Sequence, residues 1–221
     1  MSKLFPSFLA GDRPNVVAIT SRFLLPDEDA FFHQVERIAA SGVDAFILRE
    51  KDLSHEEYLS LARRFCGICA SAGCPAIMHS DIEAARKLGI MRVQLPLPLL
   101  VDIHTSDKSL LEGLQVGTSV HSHEDALLTR ELPVSWLIAS NIFPTDCKKG
   151  LPGRGFGFLE DMRTTRPDIP LIGLGGIDEE NAADVLAHGA DGVALMSGFM
   201  RCDDPDTLVR QLRGHHSRTE S

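Results

Sequence analysis

The stretch Thr145-Asp146-Cys147-Lys148-Lys149-Gly150-Leu151-Pro152-Gly153-Arg154-Gly155 is polar, glycine-rich and cationic, yet it follows an apolar run, Ser135 to Ala139, of buried-strand type. Two adjacent lysines and an arginine, with glycines that let the backbone fold closely around a ligand, can clamp an anionic group such as phosphate. A solvated surface loop could share this composition, so its place in the chain has to decide. Cys147 is also a candidate nucleophile, because Lys148 and Lys149 would lower its pKa, but no histidine is adjacent and the pattern is equally that of a phosphate loop. Proton chemistry falls to histidine, since no pair of carboxylates is placed like a metal site or a glycosidase dyad. His121 follows a strand-like run through Gly117-Thr118-Ser119 and precedes a helix start, so its ring should point over a pocket. There an imidazole can move a proton near neutral pH, or simply anchor a ligand by a hydrogen bond. His79 is the second candidate, and His123 falls inside the helix and is turned away.

The elements that must position these groups alternate regularly. Strand-length apolar runs occur at 16–20, 44–48, 75–78, 90–95, 115–119, 135–139, 170–174 and 191–195. Helical patterns separate them, at about 27–40, 54–72, 81–88, 122–130, 158–165 and 178–188, with a last helix at about 205–213. Ser54 with Glu57 makes a capping-box signature, and Glu124 and Asp125 sit where a helix macrodipole favours acid. Pro96-Leu97-Pro98 reads as a stiff segment, and 99–113 shows no clear pattern. Eight such alternations predict an α/β fold of the (β/α)8 TIM-barrel type, one domain over 1–221, with 1–14 as an N-terminal extension and 214–221 as a frayed tail. A doubly wound open sheet is the runner-up, but no Gly-x-Gly-x-x-Gly follows the first strand.

A barrel brings the segments after its strands together on one face. These supply Arg49 and Lys51 after the second strand, His79 after the third, Ser119 and His121 after the fifth, and Asn141 and Thr145 to Lys149 after the sixth. Gly175-Gly176 and Met196-Ser197-Gly198 follow the seventh and eighth, where glycine exposes backbone N–H groups to phosphate in this architecture. A phosphorylated small molecule is the implied ligand.

Composition narrows the function classes. The 22 Lys and Arg against 31 Asp and Glu give a formal charge of −9, which argues against a nucleic-acid or anionic-membrane surface, so any basic site is local. The first ten residues lack an h-region of signal-peptide length and no apolar run approaches a membrane span, so a cytoplasmic protein is expected. Five cysteines, an odd number, suit reduced thiols. Cys66 and Cys69 have metal-like spacing, but core packing on an amphipathic helix produces the same spacing.

Leu48-Arg49-Glu50-Lys51-Asp52, Ser119-Val120-His121-Ser122, Phe143-Pro144-Thr145-Asp146-Cys147-Lys148-Lys149-Gly150, Gly153-Arg154-Gly155, Gly175-Gly176-Ile177 and the run from Gly189 to Gly198 together resemble the thiamine phosphate synthase/TenI superfamily, from Val16 to Gly198. The Ser-Val-His-Ser and Thr-Asp-Cys-Lys-Lys-Gly strings favour its TenI branch, the thiazole tautomerases. That resemblance implies a proton shift that aromatises a carboxylated thiazole phosphate, without cofactor or metal, with His121 as the catalytic base. It further implies phosphate binding by Gly175, Gly176, Met196, Ser197 and Gly198, and substrate contacts from Arg49, Lys51, His79, Ser119, Asn141, Thr145 and Lys148. A synthase, the alternative, joins a pyrimidine pyrophosphate to a thiazole phosphate and needs magnesium held by Asp residues after the third and fourth strands. Here those segments read His79-Ser80-Asp81 and Pro96-Leu97-Pro98-Leu99. A non-catalytic thiazole-phosphate binder stays open as well. So does a homodimer formed through apolar helix faces.

Overall fold

The computed structural model describes Leu9, residues 12–144 and residues 152–214. Eight parallel strands close into a barrel: β1 Asn15–Ile19, β2 Ala45–Leu48, β3 Ala76–His79, β4 Arg92–Pro96, β5 Gln115–Val120, β6 Trp136–Ser140, β7 Leu171–Leu174 and β8 Gly192–Leu195. Val17 pairs with Ala45 on one side and Ala194 on the other, which completes the circle. The helices are α1 Glu28–Ala40, α2 His55–Ser71, α3 Ile82–Lys87, α4 Leu97–Ser106, α5 His123–Leu128, α6 Gly155–Thr165, α7 Ala182–Ala187, α8 Ser197–Met200 and α9 Pro205–Leu212. The barrel expected from the alternation is therefore the fold, and the open sheet is not.

The strands are short and apolar because both of their faces are buried. Val17, Ile19, Ala45, Ile47, Ile77, Trp136, Ile138, Ile172 and Ala194 fill the interior, joined by Leu9. Alternate positions, among them Val16, Ala18, Phe46, Leu48, Met78 and Val93, face the helices. Asn15 ties Leu9 to the N-terminal end of the barrel by donating from Nδ2 to the Leu9 carbonyl at 2.8 Å. Leu9 thus packs into the barrel interior. At the same end the Asp44 carboxylate accepts from Val16 N at 2.8 Å and from Arg213 Nη2 at 2.7 Å.

Three local expectations change. Pro96-Leu97-Pro98 opens α4, because proline is tolerated in a first helical turn where its missing N–H has no partner to lose. The patternless 99–113 stretch holds the rest of that helix and a 3-10 turn at Lys108–Leu111. The helix expected from about 178 begins later, as α7 with Asn181 at its N-cap, and the Asp178 carboxylate accepts from the N–H groups of Glu180 and Asn181 in the turn before it. Ser54 caps α2 with the full capping box.

Gly117 shows how tightly the interior is filled. It lies in register between Gln94 of β4 and Trp136 of β6, and a Cβ there would meet Trp136 Cε2 at 2.0 Å and Gln94 Oε1 at 2.4 Å. Gly117→Ala is expected to cost about 1–3 kcal/mol by overpacking. Thermal denaturation followed by circular dichroism checks this, and an unchanged midpoint would contradict it.

Candidate active site

The C-terminal strand ends form the mouth. Odd-numbered β2 residues point inward, so Arg49 continues the line of Ala45 and Ile47 over the barrel, and its guanidinium comes 4.0 Å from the Met196 sulfur beyond β8. Between Arg49 and Lys51, Glu50 is buried and accepts from Arg22 N at 3.0 Å. Burial raises its carboxyl above the usual range, while hydrogen bonds from Thr20 and Arg22 pull it down. Glu50 thereby pins the β1 and β2 loops together and sets its two cationic neighbours over the mouth. Sequence reasoning passed over it, although its place between two cations was a usable signal.

His79 ends β3, and its Nδ1 lies 2.8 Å from Ser80 Oγ. Its backbone N–H donates at 3.0 Å to the Tyr58 hydroxyl, which in turn donates to the Leu48 carbonyl at 2.8 Å. Burial pushes the imidazole down to about 3, and the nearby charges of Arg49 and Lys51 push the same way. At neutral pH His79 is uncharged, and a protonated form would be favoured only if an anion joined the group. With Lys51, Tyr58, Ser80, Asp81 and Pro96, His79 lines a cavity of about 610 Å³. Ser80 takes a left-handed backbone (φ 66°), which a non-glycine residue adopts only where its surroundings hold it.

Magnesium requires several oxygen ligands, chiefly carboxylates and waters. After β3 the candidates are Ser80 and Asp81. Asp81 is already engaged, since Oδ1 accepts from Ala84 N at 2.8 Å as the cap of α3 and Oδ2 meets His55 Nδ1 at 2.7 Å. After β4, Pro96, Leu97 and Pro98 offer no side-chain oxygen. No group of three His, Cys, Asp or Glu that could hold a metal ion occurs among the described residues. The donor set at these strand ends does not fit magnesium.

On β5, Ser119 is half-buried at the mouth and its Oγ accepts from Gln94 Nε2 at 3.2 Å. His121 lies one step beyond β5, with its Nδ1 2.8 Å from the Ser140 carbonyl. A carbonyl only accepts, so Nδ1 carries a proton and donates it there. Ser122 caps α5 by accepting from Asp125 N at 3.1 Å, and Val120 is buried against the helices. His123 begins α5 away from the mouth, 3.5 Å from Thr165 Oγ1, as expected.

Beyond β6 and β7 the backbones remain paired, Ile142 N to Leu174 O at 3.0 Å and Phe143 N to Gly175 O at 2.9 Å. This lays Asn141 against Gly175, where a Cβ would sit 2.7 Å from the Asn141 Cβ, and Phe143 against Gly176 at the same separation. Both glycines have positive φ, 105° and 64°. Ser197 and Gly198 open α8, which has no side-chain cap, so the first-turn N–H groups lack intrahelical acceptors. Arg49, Lys51, His79, Ser119, His121, Asn141, Gly175, Gly176, Met196, Ser197 and Gly198 therefore stand around one mouth. Thr145, Cys147 and Lys148 lie outside the described residues. A second cavity of about 310 Å³, lined by Asp178, Glu179 and Asp204, has the wrong charge for a phosphate, although Gly198 borders it as well. Of the paired-spacing cysteines, Cys69 is fully buried and Cys66 packs against Met78 at 3.9 Å, a core arrangement. No helix among the described residues is long and apolar enough to cross a membrane.

Comparison with known proteins adds a second line of observation. The family model described as thiamine monophosphate synthase (TMP-TENI) matches residues 16–199. A thiamine-phosphate synthase of Bacillus velezensis is 28% identical over 192 residues, covering 85% of this chain and 84% of that protein. Another, of Albidiferax ferrireducens, is 33% identical over 173 residues, 78% of each chain. A solved thiamine phosphate pyrophosphorylase from Pyrococcus furiosus superposes with a TM-score of 0.75 at 24% identity, covering 91% of this chain and 94% of that one, a likeness of fold. These relatives carry the synthase name, and the expected assignment to the thiazole tautomerases is corrected accordingly. The physical reason is visible in the string that carried the assignment: Val120 packs the core, Ser122 caps a helix and His121 hangs on a strand carbonyl. Val120 and Ser122 thus serve the barrel, so the string reports the fold shared across the family more than one branch of it.

His79 gives this mouth a pH signature. An imidazole whose folded value lies near 3, against about 6.5 unfolded, takes up a proton on unfolding between those values. Its contribution to stability is complete above about pH 6.5 and is lost as pH falls toward 3. In His79→Gln the fall in thermal midpoint between pH 7.5 and pH 4.5 should be smaller than in the wild type. Equal falls in the two proteins would contradict a neutral His79.

Proposed function

We propose, from the premise that this chain belongs to the thiamine monophosphate synthase (TMP-TENI) family, that it is a transferase of thiamine biosynthesis joining a pyrimidine diphosphate ester to a thiazole phosphate. The observation that carries this reading is that one mouth offers two places for anions. Arg49 and Lys51 flank neutral His79 beside the 610 Å³ cavity at β2 and β3. The uncapped α8 start and the Gly175-Gly176 loop lie at β7 and β8. A reaction between two phosphorylated substrates needs both, and the synthase names of the relatives favour it over a reaction of one substrate that carries a phosphate and a carboxylate.

In this reading the thiazole phosphate is held by main-chain N–H groups of Gly175, Gly176, Ser197 and Gly198 with the Ser197 hydroxyl. The Met196 thioether and Leu174 form the apolar floor beneath the rings. The diphosphate lies toward Arg49 and Lys51. The ring nitrogen of the thiazole attacks the methylene carbon of the pyrimidine ester, forming the C–N bond. The C–O bond to diphosphate breaks and its electron pair leaves with diphosphate, whose growing charge the cations stabilise. His121, its ring oriented by the Nδ1 bond to the Ser140 carbonyl, offers Nε2 as a hydrogen-bonding partner to a bound ring, and Asn141 joins the polar rim. No step is routed through magnesium, because the donors present do not fit it. A cytoplasmic location accords with such a role.

The same mismatch favours a second reading, a thiazole-phosphate binder without chemistry. Incubating the protein with both substrates, with magnesium and with EDTA, separates the two. The transferase yields thiamine phosphate and pyrophosphate, and Arg49→Ala lowers kcat/KM by about 100-fold. Binding of thiazole phosphate with no product under either condition would leave only the binder.

A further inference from the structure

Inside the barrel a polar chain runs across the rows of apolar side chains. The protein has one tryptophan, Trp136, which is 1% exposed. Its Nε1 donates to Gln94 Oε1 at 2.8 Å, and Gln94, 2% exposed, donates from Nε2 to Ser119 Oγ at 3.2 Å. The contact exists because Gly117, in register between Gln94 and Trp136, has no side chain to part them. Gln94 also pairs in register with His79, and its carbonyl accepts from Ser80 N at 3.0 Å. It thus sits beneath both the His79 and the Ser119 sides of the mouth.

The direction of this chain follows from chemistry. An indole N–H can only donate, so the Gln94 atom facing it is the oxygen. The amide nitrogen therefore faces Ser119, and it too can only donate. Ser119 Oγ must accept there, which turns its own O–H away from Gln94 while the residue stands half-buried at the open end.

We propose that Gln94, held by Trp136, is a positioning residue that fixes the polarity of Ser119, so that the serine offers its proton to a hydrogen-bond acceptor, such as a ring nitrogen, on a heteroaromatic substrate in the mouth. This rests on the functional reading given above. A structural core amide would affect stability alone, whereas a positioning residue acts on binding only through Ser119.

A double-mutant cycle tests this in the full-length protein, with thiazole phosphate and a pyrimidine phosphate ester titrated separately by calorimetry. For at least one probe, Gln94→Met and Ser119→Ala are each expected to raise Kd about 10-fold, the effect of one hydrogen bond. Adding Gln94→Met to Ser119→Ala should change nothing further. Should Gln94→Met fail to fold, Gln94→His carries the test, since an imidazole can accept with one nitrogen and donate with the other. It should bind like the wild type, and adding Ser119→Ala should weaken it as much as Ser119→Ala alone weakens the wild type. Additive effects, or no weakening although the wild type binds, would overturn the role of Gln94 alone. Binding of neither probe by the wild type would overturn the occupant of the mouth and this role with it.

Discussion

Closure of the sheet is the constraint from which the rest follows. Val17 is paired on both sides, to β2 and to β8, so no strand edge remains open. Gly192 makes the last seam narrow enough: a Cβ there would lie 2.3 Å from the Asn15 carbonyl oxygen. Once the circle is complete its interior is filled by side chains and its wall by helices, and the strand ends are where polar groups from several strands can converge on one ligand. Arg49, His79, Ser119 and Gly175 are far apart in the chain and neighbours around the mouth for this reason.

Charge at the mouth is arranged by burial as much as by residue type. Glu50 lies beneath the loop and is held by Arg22 and Thr20, so Arg49 and Lys51 present positive charge upward. His79 stays neutral between them and preserves that charge imbalance. Asp81 is drawn off by His55 and by the start of α3. In a protein with a formal charge of −9, this keeps positive charge local to the mouth.

The fold was legible because buried parallel strands and amphipathic helices leave different periodicities, and eight alternations admit few architectures. The strand-end residues could be named because chain position alone puts them at one face. What escaped was conformational or long-range. Pro96-Leu97-Pro98 read as a stiff segment, yet Pro96 is the N-cap of α4 and Pro98 sits in its first turn, which tolerates proline. Gln94 looked like an ordinary strand residue, since its meeting with Trp136, 42 positions away, depends on the lack of a side chain at Gly117. The tautomerase assignment leaned on two strings, of which one lies outside the described residues and the other spends Val120 on the core and Ser122 on a helix cap.

The central claim is that this mouth recognises phosphate through main-chain amides at β7 and β8. Its most direct test is a calorimetric comparison of the thiazole phosphate with the same thiazole as its free alcohol. Loss of several charge-assisted hydrogen bonds should weaken the alcohol by about 100-fold or more. Equal affinities for the two would contradict the claim.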